Sequence, residues 1–315
     1  MMKGFSKSLK LGIAIGGVTL AVTNTPLVAA EPGDALVPPP SVYAPKELPR
    51  ADAGTNAGGV HIDVSPAYVT DYVYRGIEIS EGLTTFTDPL ALVAPGETGT
   101  EDAPNLQFDA KLSFDLGKAP HPFVGVFVNV FDADPLSRFQ EVRPYFGVDW
   151  YLKPLTVTLG HNTYLFPERE PLNTSEAYVR IGFDDSTLWK TDRGVFNPYV
   201  LAAYDYDTYR GWYFEVGVHH DIPIPDTGLT VTFYSDIAYV TTHQFFAITP
   251  GGTDSGFQHY DVGMLVRFDF NEAFKLGRRY GTWALEGQLT YTDNVENDLR
   301  ADTQLWGGVA LKFGY

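Results

Sequence analysis

The final ten residues of the chain, from Trp306 to Tyr315, alternate strictly between two kinds of side chain. One face of a strand would hold Val309, Leu311, Phe313 and Tyr315. The residues between them are small, apart from one lysine. The last strand of a transmembrane barrel requires one apolar face, one small or polar face and an aromatic residue at the membrane boundary. The pattern therefore predicts a barrel strand.

The same four residues, Val309, Leu311, Phe313 and Tyr315, resemble the terminal signal by which bacterial barrel-assembly machinery recognises its clients. This resemblance implies that the assembly machinery is a partner of the chain. It also implies the bacterial outer membrane, and hence its lipid, as the destination.

The start of the chain predicts export. Lysines precede an apolar run from Leu11 to Val22, and small residues follow at Val28, Ala29 and Ala30. This arrangement is typical of a cleaved signal peptide over residues 1–30, and the run is too short for a spanning helix. Residues 31–59 are rich in proline, alanine and glycine and predict an extended periplasmic tail.

From residue 60 to residue 315 the chain divides into alternating segments, each long enough for the roughly nine to eleven residues of a tilted spanning strand. The prediction is an all-β fold, an antiparallel up-and-down transmembrane barrel of about twelve strands, with both termini in the periplasm. The predicted strands are 60–75, 105–116, 122–132, 140–152, 154–166, 175–184, 196–207, 211–221, 229–242, 258–270, 281–293 and 303–315.

The predicted inward face carries both signs of charge, with more acids than bases. A barrel of this strand number holds either a narrow water channel or a lumen filled by paired side chains. In the first strand Asp71 and Arg75 are predicted to join a charge ladder across the seam with the last strand. The predicted lumen-lining residues are Asp71, Arg75, Asp109, Lys111, Glu141, Arg143, Asp149, Arg180, Glu215, Asp236, Arg267 and Glu286.

Composition excludes several classes of function. The net charge of −17 disfavours nucleic acid as a partner, and the absence of cysteine excludes disulfides. Histidines cluster at His219 and His220, and His243, His259 and Asp261 fall near the other rim. No fixed serine accompanies them, so we expect no enzyme. No spacing suggests a metal site or a cofactor.

The segment from Tyr68 to Ile77, with Thr70-Asp71-Tyr72-Val73-Tyr74-Arg75-Gly76 at its centre, resembles the opening motif of a bacterial outer-membrane barrel family. Members of that family begin with a Ser-Asp-Tyr-Val-Phe-Arg-Gly-Ile type of segment, so Thr70 and Tyr74 are mild departures. The family is largely uncharacterised. The resemblance implies envelope location and barrel architecture and transfers no active site.

Two functions remain open from the sequence. The first is a narrow passive pore for small cations or neutral solutes, in keeping with the acidic inner face. The alternative is a non-conducting scaffold or adhesion barrel with a plugged lumen. The acidic loop 76–104 is equally compatible with a constriction inside the barrel and with a disordered flap.

Overall fold

The structure, a computed structural model, describes residues 59–79, 104–131, 140–167, 170–248 and 254–315. The predicted signal peptide, nearly all of the predicted tail and most of the loop 76–104 lie outside these residues. Within the described ranges, no helix is both long and apolar enough to cross a membrane.

Twelve antiparallel strands close into a barrel in which sequence neighbours pair and the first strand meets the last. The closed twelve-stranded barrel confirms the predicted fold class. A separate two-stranded hairpin follows the first barrel strand. In chain order the strands are β1 (Val60–Val69), β2 (Val73–Tyr74), β3 (Ile77–Glu78), β4 (Asn105–Phe114), β5 (His121–Phe131), β6 (Glu141–Leu152), β7 (Leu155–Tyr164), β8 (Thr174–Phe183), β9 (Tyr199–Asp205), β10 (Gly211–Ile224), β11 (Leu229–Thr241), β12 (Gly256–Asp269), β13 (Thr282–Asn294) and β14 (Gln304–Gly314).

Connections differ between the two ends of the barrel. At the end that holds the termini, three of the five connections are at most six residues long, and the two longer ones contain the helices α1 (Ser186–Trp189) and α2 (Phe270–Phe274). At the opposite end, which we call the loop end, the hairpin β2–β3 follows β1, and a 3₁₀ turn (Gln244–Phe246) follows β11. The loop end therefore supplies the segments that can enter the lumen.

The outer surface of the barrel is apolar, as a lipid-facing surface must be. Along β10, Trp212, Phe214, Val216 and Val218 are exposed, whereas the residues between them are buried. The other strands also expose large apolar side chains, and on β14 the outward residue Val309 is 50% exposed. A closed sheet satisfies its backbone hydrogen bonds internally, so this apolar belt can lie in a bilayer.

Four inward tyrosines lie across glycines on the neighbouring strand. In each pair the two residues stand directly opposite each other, and a Cβ atom added to the glycine would overlap the tyrosine ring. The glycines thus provide the space in which the rings lie flat against the barrel wall. This pairing also fixes the strand register. The pairs are Tyr145 with Gly125, Tyr178 with Gly160, Tyr199 with Gly217, and Tyr234 with Gly263.

Gly217→Ala should destabilise the barrel by about 1–3 kcal/mol, because the new methyl group would overlap the Tyr199 ring in a packed interior. The measurement is urea unfolding of the protein refolded into lipid vesicles. Gly287→Ala is the matched control, since its Cβ would meet no atom within 4 Å. Equal stability of the two variants would contradict the packing role of the glycine.

Candidate functional site in the barrel lumen

The first strand is shorter than predicted. Strand β1 ends at Val69, its last residue paired with β14, and the chain then turns into the hairpin β2–β3 instead of continuing to residue 75. Arg75 and Gly76 form the two-residue turn, both with positive φ (50° and 77°). Such a turn matches the twist of a tight hairpin. A Cβ atom at Gly76 would also overlap His259, so the backbone here lies directly against β12.

Arg75 binds a carboxylate on a distant strand. Its guanidinium donates two hydrogen bonds, of 2.9 and 3.0 Å, to the two oxygens of Glu176 on β8. It also lies over the Tyr213 ring, 4.1 Å from the centroid. Glu176 accepts further bonds of 2.8 Å from Asn162 and Tyr164 on β7. The predicted charge ladder across the seam is therefore wrong for Arg75, because the turn carries its side chain to another wall.

A second polar cluster holds the base of the hairpin. The Tyr72 hydroxyl donates to Glu141 at 2.7 Å and accepts from Arg143 Nη2 at 2.7 Å. Arg143 Nε donates to Glu141 at 2.6 Å, and the Arg143 side chain is fully buried. Charges buried in this way are tolerated only when paired and hydrogen-bonded, so the cluster fixes the hairpin in one position.

The loop end contributes a second inserted element, the 3₁₀ turn Gln244–Phe246. Its first backbone amides are capped by His243, which accepts from the Phe245 N–H at 3.3 Å. Burial, together with the nearby Arg75 charge, lowers the pKa of His243 to about 3, so the ring is neutral and able to accept. Phe245 packs edge-on against Tyr74, and Phe246 is fully buried against Tyr213.

The two inserted elements leave little space in this part of the lumen. A cavity of about 50 Å³ remains beside the hairpin, with Tyr74, Glu176 and Phe245 among its walls. That volume holds a few water molecules and is far smaller than a pocket for an organic ligand. Around it, apolar side chains of the hairpin, the barrel wall and the 3₁₀ turn form one buried cluster.

The structure places the predicted lumen-lining side chains in buried or half-buried positions. Several bases pair with acids: Arg143 with Glu141 on the same strand, Arg267 and Lys312 with Glu286 on the neighbouring strand, and Lys111 with Asp149 across the intervening strand β5. Their lining of a conducting path stays a prediction. The buried or half-buried residues are Asp71, Arg75, Asp109, Lys111, Glu141, Arg143, Asp149, Arg180, Glu215, Asp236, Arg267 and Glu286.

Acids without a basic partner gather on one side of the barrel. Glu215 on β10 accepts from the hydroxyls of Tyr199 and Tyr213, at 2.7 and 2.6 Å. Asp236 and Asp261 lie opposite each other on β11 and β12. Among the described residues, no lysine or arginine forms an ion pair with any of these three acids. The wall formed by β10, β11 and β12 therefore carries three acids that no lysine or arginine among the described residues neutralises.

The histidine candidates separate into two groups. At the terminal end, His220 contacts the Val195 carbonyl oxygen in the segment before β9, and Asp221 accepts a hydrogen bond from Thr232 on the neighbouring strand β11. At the loop end, His259 and Asp261 come together with Asp236. Sequence reasoning missed this grouping because Asp236 lies on another strand and meets them only through strand pairing.

Comparisons with known proteins find matches among solved structures alone. No protein-family model and no curated protein matches the sequence. Among solved structures, the NanC porin is 10% identical, with 80% of this chain and 98% of that chain covered and a TM-score of 0.45. An outer membrane channel from Pseudomonas putida F1 is 9% identical, with coverages of 85% and 100% and a TM-score of 0.43.

LpxR from Salmonella typhimurium is 10% identical, with 80% of this chain and 99% of that chain covered and a TM-score of 0.40. Similarity at this level carries no argument about function. The assignment rests instead on the closed antiparallel sheet, the apolar belt around it and the polar, charged interior. On these grounds the chain is a twelve-stranded transmembrane β-barrel of the outer-membrane type.

Proposed function

We propose that the protein is a narrow outer-membrane channel for small cations whose lumen is held closed by the inserted hairpin. The observation that carries the proposal is the hairpin β2–β3 folded into an acidic lumen and bound to its wall through Arg75 and Glu176. The function is passive passage of solutes, without a catalytic step.

Cation preference follows from the balance of charge on the wall. The Lys111, Arg143 and Arg267 side chains each pair with an acid, whereas Glu215, Asp236 and Asp261 have no lysine or arginine partner among the described residues. Unbalanced carboxylates in a confined passage attract cations and repel anions. A path along β10, β11 and β12 would therefore favour potassium over chloride.

Closure follows from the way the hairpin is tied to the interior. Besides the Arg75–Glu176 pair, the Arg75 carbonyl accepts from Gln258 at 2.7 Å, and the Glu78 N–H donates to Asp302 at 2.8 Å. These contacts join the hairpin to β12 and to the segment before β14. Opening requires the hairpin to leave several partners together, so open states should be infrequent.

A second candidate is the non-conducting scaffold or adhesion barrel. The observation that favours it is the buried apolar cluster inside the loop end, to which Tyr72, Phe127, Tyr213 and Phe246 contribute. A permanently filled interior of this kind would need no gate.

Purified protein in a planar bilayer tests the channel, and we expect brief, infrequent openings. Across a potassium chloride gradient the reversal potential should indicate cation preference. The preference should be strongest near 0.01 M salt, where the screening length is about 30 Å. Glu215→Gln combined with Asp236→Asn should weaken it, because both acids lie on the charged wall.

The matched control neutralises two exposed acids in the turns at the terminal end, through Asp192→Asn combined with Asp226→Asn. This variant should keep the wild-type preference. Anion preference in the wild-type protein would contradict the assignment of the charged wall. Folded protein that never conducts, even after the hairpin is loosened, would favour the scaffold.

A further inference from the structure

Two carboxylates face each other inside the barrel with nothing to separate their charges. Asp236 on β11 and Asp261 on β12 are directly opposite in the strand register. Like charges in this position destabilise a sheet, and burial removes the water that would screen them. Asp236 is 9% exposed. Such a pair is stable when the two carboxylates share a proton or when a cation lies between them.

The described protein residues do not supply that cation. Asp261 accepts a hydrogen bond of 2.6 Å from Thr292. Asp236 makes no hydrogen bond and no ion pair with a lysine or arginine anywhere in the described ranges, although its side chain is nine-tenths buried. No described lysine, arginine or hydrogen-bond donor therefore competes for the Asp236 carboxylate, which leaves it available to a cation.

A β-bulge brings a histidine to the same point. Ile237 pairs with Tyr260 and Tyr239 pairs with Phe257, so Ala238 alone stands opposite both Gln258 and His259. Both of these side chains are buried, and His259 is only 1% exposed. Bulges that re-aim a side chain are common beside functional sites. The donor atoms of Asp236, His259 and Asp261 all lie within 4.8 Å of one another.

The neighbouring glutamine determines how the imidazole is presented. The Gln258 amide nitrogen donates to the backbone oxygens of Arg75 and Arg300, at 2.7 and 2.8 Å. The Gln258 oxygen is therefore left to accept from His259 Nδ1, at 3.1 Å. Nε2 then carries the lone pair and lies 3.9 Å from the Asp261 carboxylate. A histidine held through its other ring nitrogen is the usual arrangement of a metal ligand.

We propose that Asp236, His259 and Asp261 bind one divalent transition-metal ion, with Zn²⁺ as the best match. One imidazole nitrogen and two carboxylates form a ligand set that Zn²⁺ accepts, whereas Ca²⁺ and Mg²⁺ prefer oxygen ligands alone. Zn²⁺ would draw the three donors to roughly 3.4 Å from one another, a change that side-chain rotation can supply. The metal replaces the repulsion between the two carboxylates with attraction.

The site goes beyond the proposed channel function, because metal binding does not depend on conduction. A bound Zn²⁺ would neutralise Asp236 and Asp261, so the cation preference proposed above applies to metal-free protein. It lies directly against the hairpin turn, where the Gly76 backbone contacts His259 and the Arg75 carbonyl accepts from Gln258. The binding test therefore uses folded protein in detergent and measures no current.

Titration of tag-free protein with ZnCl₂ in a calorimeter should show one ion per barrel. Asp236→Asn and His259→Gln should each weaken Zn²⁺ binding at least tenfold. The matched control is Asp115→Asn combined with His121→Gln, a histidine–carboxylate contact of 3.6 Å at the terminal end. This control should bind Zn²⁺ as the wild type does, and heat-modifiable migration in a gel verifies that every variant is folded.

A thermal signature separates a metal site from a structural cluster. Without metal, Asp236→Asn should raise the melting temperature because it removes the repulsion with Asp261. With saturating Zn²⁺, the wild type should gain stability and Asp236→Asn should not. The proposal is overturned if folded wild-type protein binds no Zn²⁺, if Asp236→Asn binds it with wild-type affinity, or if Ca²⁺ or Mg²⁺ binds as tightly.

Discussion

Glu176→Gln should open the channel. The substitution leaves the Arg75 guanidinium buried without a counter-charge inside the barrel, where Arg75 is 6% exposed and donates two hydrogen bonds to Glu176. Removing one partner of a buried ion pair costs about 3–5 kcal/mol. Each 1.4 kcal/mol changes an equilibrium constant about tenfold. The ratio of docked to undocked hairpin should therefore fall by about a hundredfold or more. Single-channel recording in planar bilayers measures this as more frequent openings.

Glu286→Gln is the matched control for that prediction. Glu286 is also buried and also pairs with an arginine, Arg267 at 2.9 Å, but that pair joins β12 to β13 within the wall and does not touch the hairpin. Its loss should leave the open probability unchanged.

Arg75→Met combined with Glu176→Leu should close the channel again, because an apolar pair of similar size can replace a buried ion pair without loss of stability. If the wild type, Glu176→Gln and the double variant open equally often, the hairpin is not a gate.

Val216→Arg should impair insertion and folding of the barrel in lipid. Val216 lies near the middle of β10 on the outer face and is 52% exposed, so an arginine here would enter the hydrocarbon core. At the bilayer midplane the expected cost is about 2–4 kcal/mol, measured by urea unfolding in lipid vesicles.

The depth of the residue provides the control for that measurement. Ile224 lies on the same face at the end of β10 and is also exposed. Because the cost falls to about 0–1 kcal/mol near the interface, Ile224→Arg should be nearly neutral. Equal losses at the two positions would contradict the assignment of the outer face to lipid.

The strand pattern was predictable because strand alternation is a local property. Phe108 and Asp109 already differ in polarity in the sequence, and in the barrel Phe108 is exposed while Asp109 is half-buried. Successive residues of a strand face lipid and the charged interior in turn, so one must be apolar and the next polar. The two-residue period of hydrophobicity therefore indicates both the strand and which residues lie on each face. The closed sheet follows, since exposed strand edges are not tolerated in a bilayer.

The end of the first strand was not predictable from the same pattern. Tyr72, Tyr74 and Arg75 continue the alternation of β1, but the positive φ angles at Arg75 and Gly76 form a turn instead. Alternation does not distinguish a long strand from a strand followed by a hairpin that folds back. The hairpin forms because its residues bind partners inside the barrel. One of them is Glu176, which is 101 residues away from Arg75 in the chain.

The sequence by itself determined the class of fold, the number of barrel strands and the alternation of polar and apolar side chains along them. Tertiary structure alone decided which of those inward charges meet. Arg75 binds Glu176 because a turn re-aims it, and His259 joins Asp236 and Asp261 because a bulge and the β11–β12 register bring them together. The physical reason is that the polarity of a position is a property of one residue and can be read locally. Contact across a barrel depends on strand register, bulges and inserted segments, which involve residues far apart in the sequence.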